Sequence, residues 1–188
     1  MSRNNKRLDK LVVIDLEATC DDPRPTWRGE IIEVGVCLLD LKTLEITKER
    51  GILVKPERTP VTEFCTFLTT ITPELIEREG VTLSEAMKIL KDEYRIHERS
   101  WVSWGDYDRN QLNSDCDAHG VAFPGKNSSH LNIKNILAVE YGWPAGEGLD
   151  RALELFNMEL LGTHHRGVDD AVNVARIFTK HLERVRSL

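Results

Sequence analysis

Three groups of side chains in this sequence have the types and spacing to do chemistry. Asp15 and Glu17 close an apolar run that starts at Leu11. Strand residues two apart face the same side, so Val13, Asp15 and Glu17 share one face while Val12, Ile14 and Leu16 share the other. Burying one unpaired carboxylate is expensive and a second beside it raises the cost again, so such a pair calls for a divalent cation. Taken alone, the pair reads more readily as a strand end followed by a solvated acid. The second group is Gly105-Asp106-Tyr107-Asp108, where a strand hands over to a helix. Asp108 shares a helical face with Leu112, Cys116 and His119, which points it inward, whereas Asp106 reads as a plain N-cap.

The third group is Thr163-His164-His165-Arg166-Gly167-Val168-Asp169-Asp170. His164 with Asp169 and His165 with Asp170 have the same gap, so spacing alone does not choose the register. Helix geometry separates the two acids. Asp170 continues into Val174, Ile177, Phe178 and His181, and Asp169 continues into Asn173, Arg176 and Lys180. Asp170 is expected to face the core, and Asp169 to face water as a candidate N-cap.

Asp15, Glu17, Asp108 and Asp170 come from three segments and would repel one another in an empty site. Two Mg²⁺ or Mn²⁺ ions would neutralise them. All-oxygen ligands suit such hard cations, and two ions about 4 Å apart suit in-line displacement at a phosphodiester. A histidine with a pKa near about 6.5 takes a water proton at neutral pH, and His165 is placed to do so.

The elements that must position these groups are legible as α/β. A basic tail over residues 1–10 carries Arg3, Lys6, Arg7 and Lys10. Strands are expected over 11–16, 31–39 and 46–54, before any helix. Thr72-Pro73-Glu74 reads as a helix start, with Thr72 as N-cap, and Thr82 starts another helix running to about residue 95. A strand over 101–104 leads into a helix over 108–119, a loop over 121–129, a strand over 131–133 and a helix to residue 141. Gly142-Trp143-Pro144 ends it, and helices over 149–156 and 169–185 follow. The pattern suggests a mixed sheet flanked by helices.

With 188 residues, a single domain over 11–188 is expected. The formal charge is −6, from 31 acidic and 25 basic side chains, so a nucleic-acid partner must be held locally rather than by a broad cationic surface. Arg28, Lys55, Arg109, Lys126, Lys134 and Arg166 are scattered candidates for phosphate contact. No apolar run is long enough for a membrane span, and residues 1–10 lack the apolar stretch of a signal peptide, so a cytoplasmic location and no membrane partner are expected. Cys20, Cys37, Cys65 and Cys116 form no C-x-x-C pair, which argues against zinc and against a disulfide framework.

The chain resembles the DEDDh 3′→5′ exonucleases of the DnaQ-like, ribonuclease H-like fold. Asp15-Leu16-Glu17-Ala18-Thr19-Cys20 matches the first motif, Asp108 in Trp104-Gly105-Asp106-Tyr107-Asp108 the second, and His165 with Asp170 the third. The likeness runs from about residue 11 to 182. The runs from Phe64 to Thr72, Leu131 to Asn135 and His164 to Ala171 are similar to the Eri-type exoribonuclease branch.

This resemblance implies a ribonuclease H-like mixed five-stranded sheet. It implies removal of nucleoside monophosphates from the 3′ end of single-stranded or short RNA by two-metal-ion hydrolysis. Asp15, Glu17, Asp108 and Asp170 would hold two Mg²⁺ or Mn²⁺, with Asp15 bridging, and His165 would be the general base. Ala18 and Thr19 would line the 3′-terminal nucleotide, Leu68 and Thr69 would lie beside its base, and Tyr107 would stack on a base. Thr70 departs from the glycine usual in that loop. No added nucleic-acid-binding domain is visible, which suggests weak, distributive action with a shallow salt dependence. A DNA-directed 3′→5′ exonuclease and a catalytically silent nucleic-acid-binding module on the same fold are the alternatives.

Overall fold

The structure is a computed structural model that describes residues 7–22, 24, 26–143 and 147–188. Three antiparallel strands come first: β1 Arg7–Ala18, β2 Ile31–Asp40 and β3 Ile46–Leu53. Three short helices follow, α1 Glu63–Thr69, α2 Pro73–Glu79 and α3 Leu83–Asp92. Then come β4 Arg99–Ser103, α4 Tyr107–His119, β5 His130–Asn132, α5 Ile133–Tyr141, α6 Leu149–Leu155 and α7 Gly167–Arg186. The sheet order is β3-β2-β1-β4-β5, with β4 parallel to β1 and to β5. This is the ribonuclease H-like mixed sheet that the motifs implied.

Strand alternation divides the core into two layers. Val12, Ile14 and Leu16 pack with Leu83, Met87, Leu90, Leu112 and Cys116 of α3 and α4. Leu11 and Val13 pack on the other face with α5, α6 and α7. Asp15 and Glu17 therefore emerge on the α7 side of the central strand. The pairing Val13↔Val102 and the end of β4 at Ser103 leave the last residues of β1 without a partner on that edge. The Leu16 N–H is free there, and it donates to Asp108 Oδ1 at 3.0 Å. A short β4 thus makes room for the second-motif acid.

Two glycines set how closely α7 approaches. A Cβ on Gly35 of β2 would lie 1.8 Å from the carbonyl carbon of Gly167, and one on Gly167 would lie 3.0 Å from the Asp15 carbonyl oxygen. The start of α7 therefore rests on bare backbone, which brings Asp170 over β1. Local signals agree elsewhere. Thr72 caps α2 with Pro73 in its first turn, and Thr82 with Glu85 forms a full capping box on α3.

Several expectations are corrected. β1 begins at Arg7, so residues 7–10 of the expected tail are strand, with Lys10 paired to Asp40 at 3.5 Å. The rest of that tail, with Arg3 and Lys6, lies outside the described residues, as does Pro144 of the expected break; α5 ends on Gly142, whose φ is 64°. α1 was not expected. It is capped by Thr62, whose hydroxyl accepts the Cys65 N–H, and it ends on Thr70 at φ 62°. That left-handed conformation explains why glycine suits this position. α7 begins two residues earlier than expected, so Asp169 lies inside the first turn and accepts the Thr163 N–H at 2.7 Å instead of capping. Asn173 is fully buried where water was expected, because its amide pairs with both backbone groups of Leu161. Asp106 occupies the N-cap position without a capping bond and pairs with Arg109 at 3.1 Å.

Candidate active site

At the end of β1, between the starts of α4 and α7, lies a cavity of about 400 Å³. Asp15, Glu17, Asp108 and Asp170 all line it, together with His164 and His165. Ligand oxygens of Asp15, Glu17 and Asp170 lie within 4.8 Å of one another. The strand period delivers the first two, the apolar stripe of α7 delivers Asp170, and the Leu16 N–H fixes Asp108.

The electrostatics fit a cation site. Burial, then repulsion from Asp108 and Asp170, holds the Asp15 carboxyl well above the usual carboxylate range. Burial, then Asp170 and Glu33, pushes Glu17 up to about 8. Burial pushes Asp108 up to about 6, opposed by bonds from backbone N–H groups that include Leu16. Asp170 is raised by burial and lowered in part by His164. Four crowded acids that resist ionisation together are ready ligands for hard divalent ions, which supply the missing positive charge.

Both histidines reach the cavity. Asp170 is bound by each of them: its Oδ2 accepts the His165 backbone N–H at 2.8 Å, and its Oδ1 lies 3.1 Å from His164 Nδ1. The two rings lie tilted by 31° with centroids 3.9 Å apart, and His164 Nε2 is 3.4 Å from Asp150. Burial, then the neighbouring His164, lowers the pKa of His165, so its ring is neutral at pH 7. His165 itself sits at φ 62°.

Of the expected substrate contacts, Ala18, Leu68 and Tyr107 line the cavity. Thr19 and Thr69 do not. The Thr19 side chain is buried beyond a register shift at Glu17/Ala18, bonded to the Thr59 hydroxyl at 2.7 Å and accepting the Glu30 N–H at 2.9 Å. Thr69 is fully buried because it sits in α1, where its hydroxyl bonds to the Cys65 carbonyl at 2.8 Å. Leu16, Cys20, Trp104 and Leu149 complete the wall and were not among the expected site residues, whereas His164 was the alternative register to His165. Trp104, an aromatic beside the second motif, carried a usable signal; Leu149, from a distant helix, carried none.

A family model described as an exonuclease, RNase T, matches residues 12–178. The nuclease domain of 3′hExo, a DEDDh family member solved with rAMP, superposes with a TM-score of 0.86 at 32% identity, over 94% of this chain and 92% of that one. The chain belongs to the DEDDh exonucleases. Human 3′-5′ exoribonuclease 1 is 32% identical over 185 residues, which cover 93% of this chain and 53% of that protein. The probable 3′-5′ exonuclease KapD of Bacillus subtilis is 26% identical, over 90% of this chain and 83% of that one. Among DEDDh exonucleases these likenesses place the chain in the Eri-type branch, and it spans about half the length of the first curated relatives it matches.

Proposed function

We propose that this chain removes nucleoside monophosphates from the 3′ end of single-stranded or short RNA. The observation that carries the reading is the meeting of the Asp15, Glu17 and Asp170 oxygens within 4.8 Å in a cavity that Asp108 also lines. These four carboxylates would hold two Mg²⁺ or Mn²⁺. When bound, such ions neutralise the acids, acidify the attacking water and stabilise the departing oxygen.

The chain's own groups do the rest. Neutral His165 accepts the proton of the attacking water at a ring nitrogen. Water adds to the phosphorus of the last phosphodiester, the P–O3′ bond breaks, O3′ takes a proton from solvent, and a nucleoside 5′-monophosphate leaves the shortened strand with a free 3′ hydroxyl while His165 returns its proton to solvent. Tyr107, 56% exposed at the rim, offers a face to a base, and Leu68 closes the pocket beside it. The Leu16 N–H keeps Asp108 aimed at the centre.

The preference for RNA draws on the relatives' names and on a solved relative, 31% identical, described as recognising the 3′ end of a histone mRNA stem-loop. DNA-bound exonuclease I, at 11% identity, shares the fold alone. The test is a 5′-labelled single-stranded RNA incubated with Mg²⁺ or Mn²⁺ beside a matched DNA. Stepwise shortening from the 3′ end that a chelator stops is expected. Internal cuts without a ladder contradict exonuclease action, and faster DNA shortening contradicts the substrate.

A further inference from the structure

A half-buried ion pair lies behind the loop that carries His165. Glu33 of β2 stands opposite Glu17 in the strand register and is fully buried. Gly51 of β3 leaves the space it occupies, since a Cβ there would come within 2.2 Å of Glu33 Oε1. Arg166 Nε donates to Glu33 Oε2 at 3.2 Å, Arg166 Nη2 donates to Oε1 at 3.2 Å, and the Gly167 N–H donates to Oε2 at 2.8 Å.

All three donors come from the two residues that follow His165. A non-glycine residue in the left-handed region persists only where its surroundings over-determine it. His165 meets that condition from both sides: its own N–H is held by Asp170, and the next two residues are held by Glu33. The two-pronged contact needs the planar fork of arginine, which the single ammonium of lysine does not reproduce. The same guanidinium partly offsets Glu33, whose charge still raises Glu17.

We propose that Glu33 and Arg166 are a positioning pair that fixes the backbone of residues 165–167, and through it the His165 ring and the Asp170 carboxylate. Neither residue lines the cavity. The proposal rests on the reading of the cavity as an exonuclease site.

Arg166→Ala, Arg166→Lys, Glu33→Gln and the Arg166→Ala/Glu33→Gln double variant are compared in saturating Mn²⁺ on a 5′-labelled RNA. In parallel, amide hydrogen exchange of residues 163–168 is followed in chelator without substrate. Arg166→Ala and Glu33→Gln are each expected to lower kcat about ten- to a hundredfold with KM within about twofold, the scale of a small misplacement of a catalytic group. Arg166→Lys recovers part of the rate, and the double variant is no slower than the worse single one. The His165 and Gly167 amides exchange at least about tenfold faster in both single variants.

A raised KM with unchanged kcat overturns the proposal by making Arg166 a substrate contact. A lowered Tm with unchanged kcat and unchanged exchange overturns it as mere structure. If wild type fails to shorten RNA while the variants still exchange faster, the clamp stands and the nuclease reading falls. If His165→Asn is inactive while Arg166→Ala and Glu33→Gln keep the full rate, the positioning proposal falls alone.

Discussion

Replacing Glu17 with Gln in the metal-free protein isolates the cost of crowding the carboxylates. In the folded chain Glu17 ionises only near 8, against an ordinary value of 4.5, mainly through burial and then through Asp170 and Glu33. Between those two values the unfolded chain releases this proton and the folded chain keeps it. The contribution of Glu17 to stability is therefore complete below 4.5 and is lost as pH rises toward 8. Each pH unit costs about 1.4 kcal/mol, so the penalty is about 3 kcal/mol at pH 7 and under about 1 kcal/mol at pH 5. Glutamine keeps the shape and has no proton to release. In chelator, its Tm should exceed wild type by roughly 6–12 °C at pH 7 and by a few degrees or less at pH 5, taking about 2–4 °C per kcal/mol for a chain of this size. Differential scanning fluorimetry at both pH values reads this directly. An equal or lower Tm for the variant at pH 7, or a difference that shrinks with rising pH, refutes the reasoning. Saturating Mn²⁺ should reverse the order, because the ions stabilise wild type by mass action and the variant has lost a ligand.

Three shorter predictions complete the set. His165→Asn should lower kcat on the order of a hundredfold or more with the fold intact by circular dichroism, and His164→Asn should cost much less; the reverse order would move the general base to His164. Tyr107→Ala should raise KM roughly tenfold on single-stranded RNA with kcat little changed, the size of one lost base stack, and an unchanged KM removes the stacking role. Gly35→Ala should destabilise the protein by about 3 kcal/mol in denaturant unfolding and displace the start of α7, since its Cβ would fall inside the Gly167 carbonyl group; wild-type stability would mean that the contact yields.

The parts of the site that follow from chain periodicity were legible in the sequence. Alternation along β1 put Asp15 and Glu17 on one face, and the apolar stripe of α7 chose Asp170 over Asp169. Side-chain caps at Thr72 and Thr82 marked two helices because each satisfies backbone donors within three residues. What the sequence hid depends on contacts between distant segments. Asn173 looks solvent-facing on a helical wheel, but its partner is Leu161 in the preceding loop. Thr19 and Thr69 stand beside residues that line the cavity, yet a register shift in one case and the α1 helix in the other turn their hydroxyls inward. α1 spans seven residues, too few for an apolar period to show. The place of His164 against Asp170 depends on the left-handed turn at His165, which no local pattern announces. Glu33 reads as one acid in an apolar strand, and only Gly51 and Arg166, from two other elements, give it meaning.

The central claim is that Asp15, Glu17, Asp108 and Asp170 converge on a pair of divalent ions. Anomalous scattering from crystals grown with Mn²⁺ and a nucleoside 5′-monophosphate tests it most directly. Two peaks about 4 Å apart are expected, each bound by oxygens of these four residues, with loss of the pair in Asp15→Asn. A single peak, peaks outside this cavity, or two peaks that survive in Asp15→Asn would contradict it.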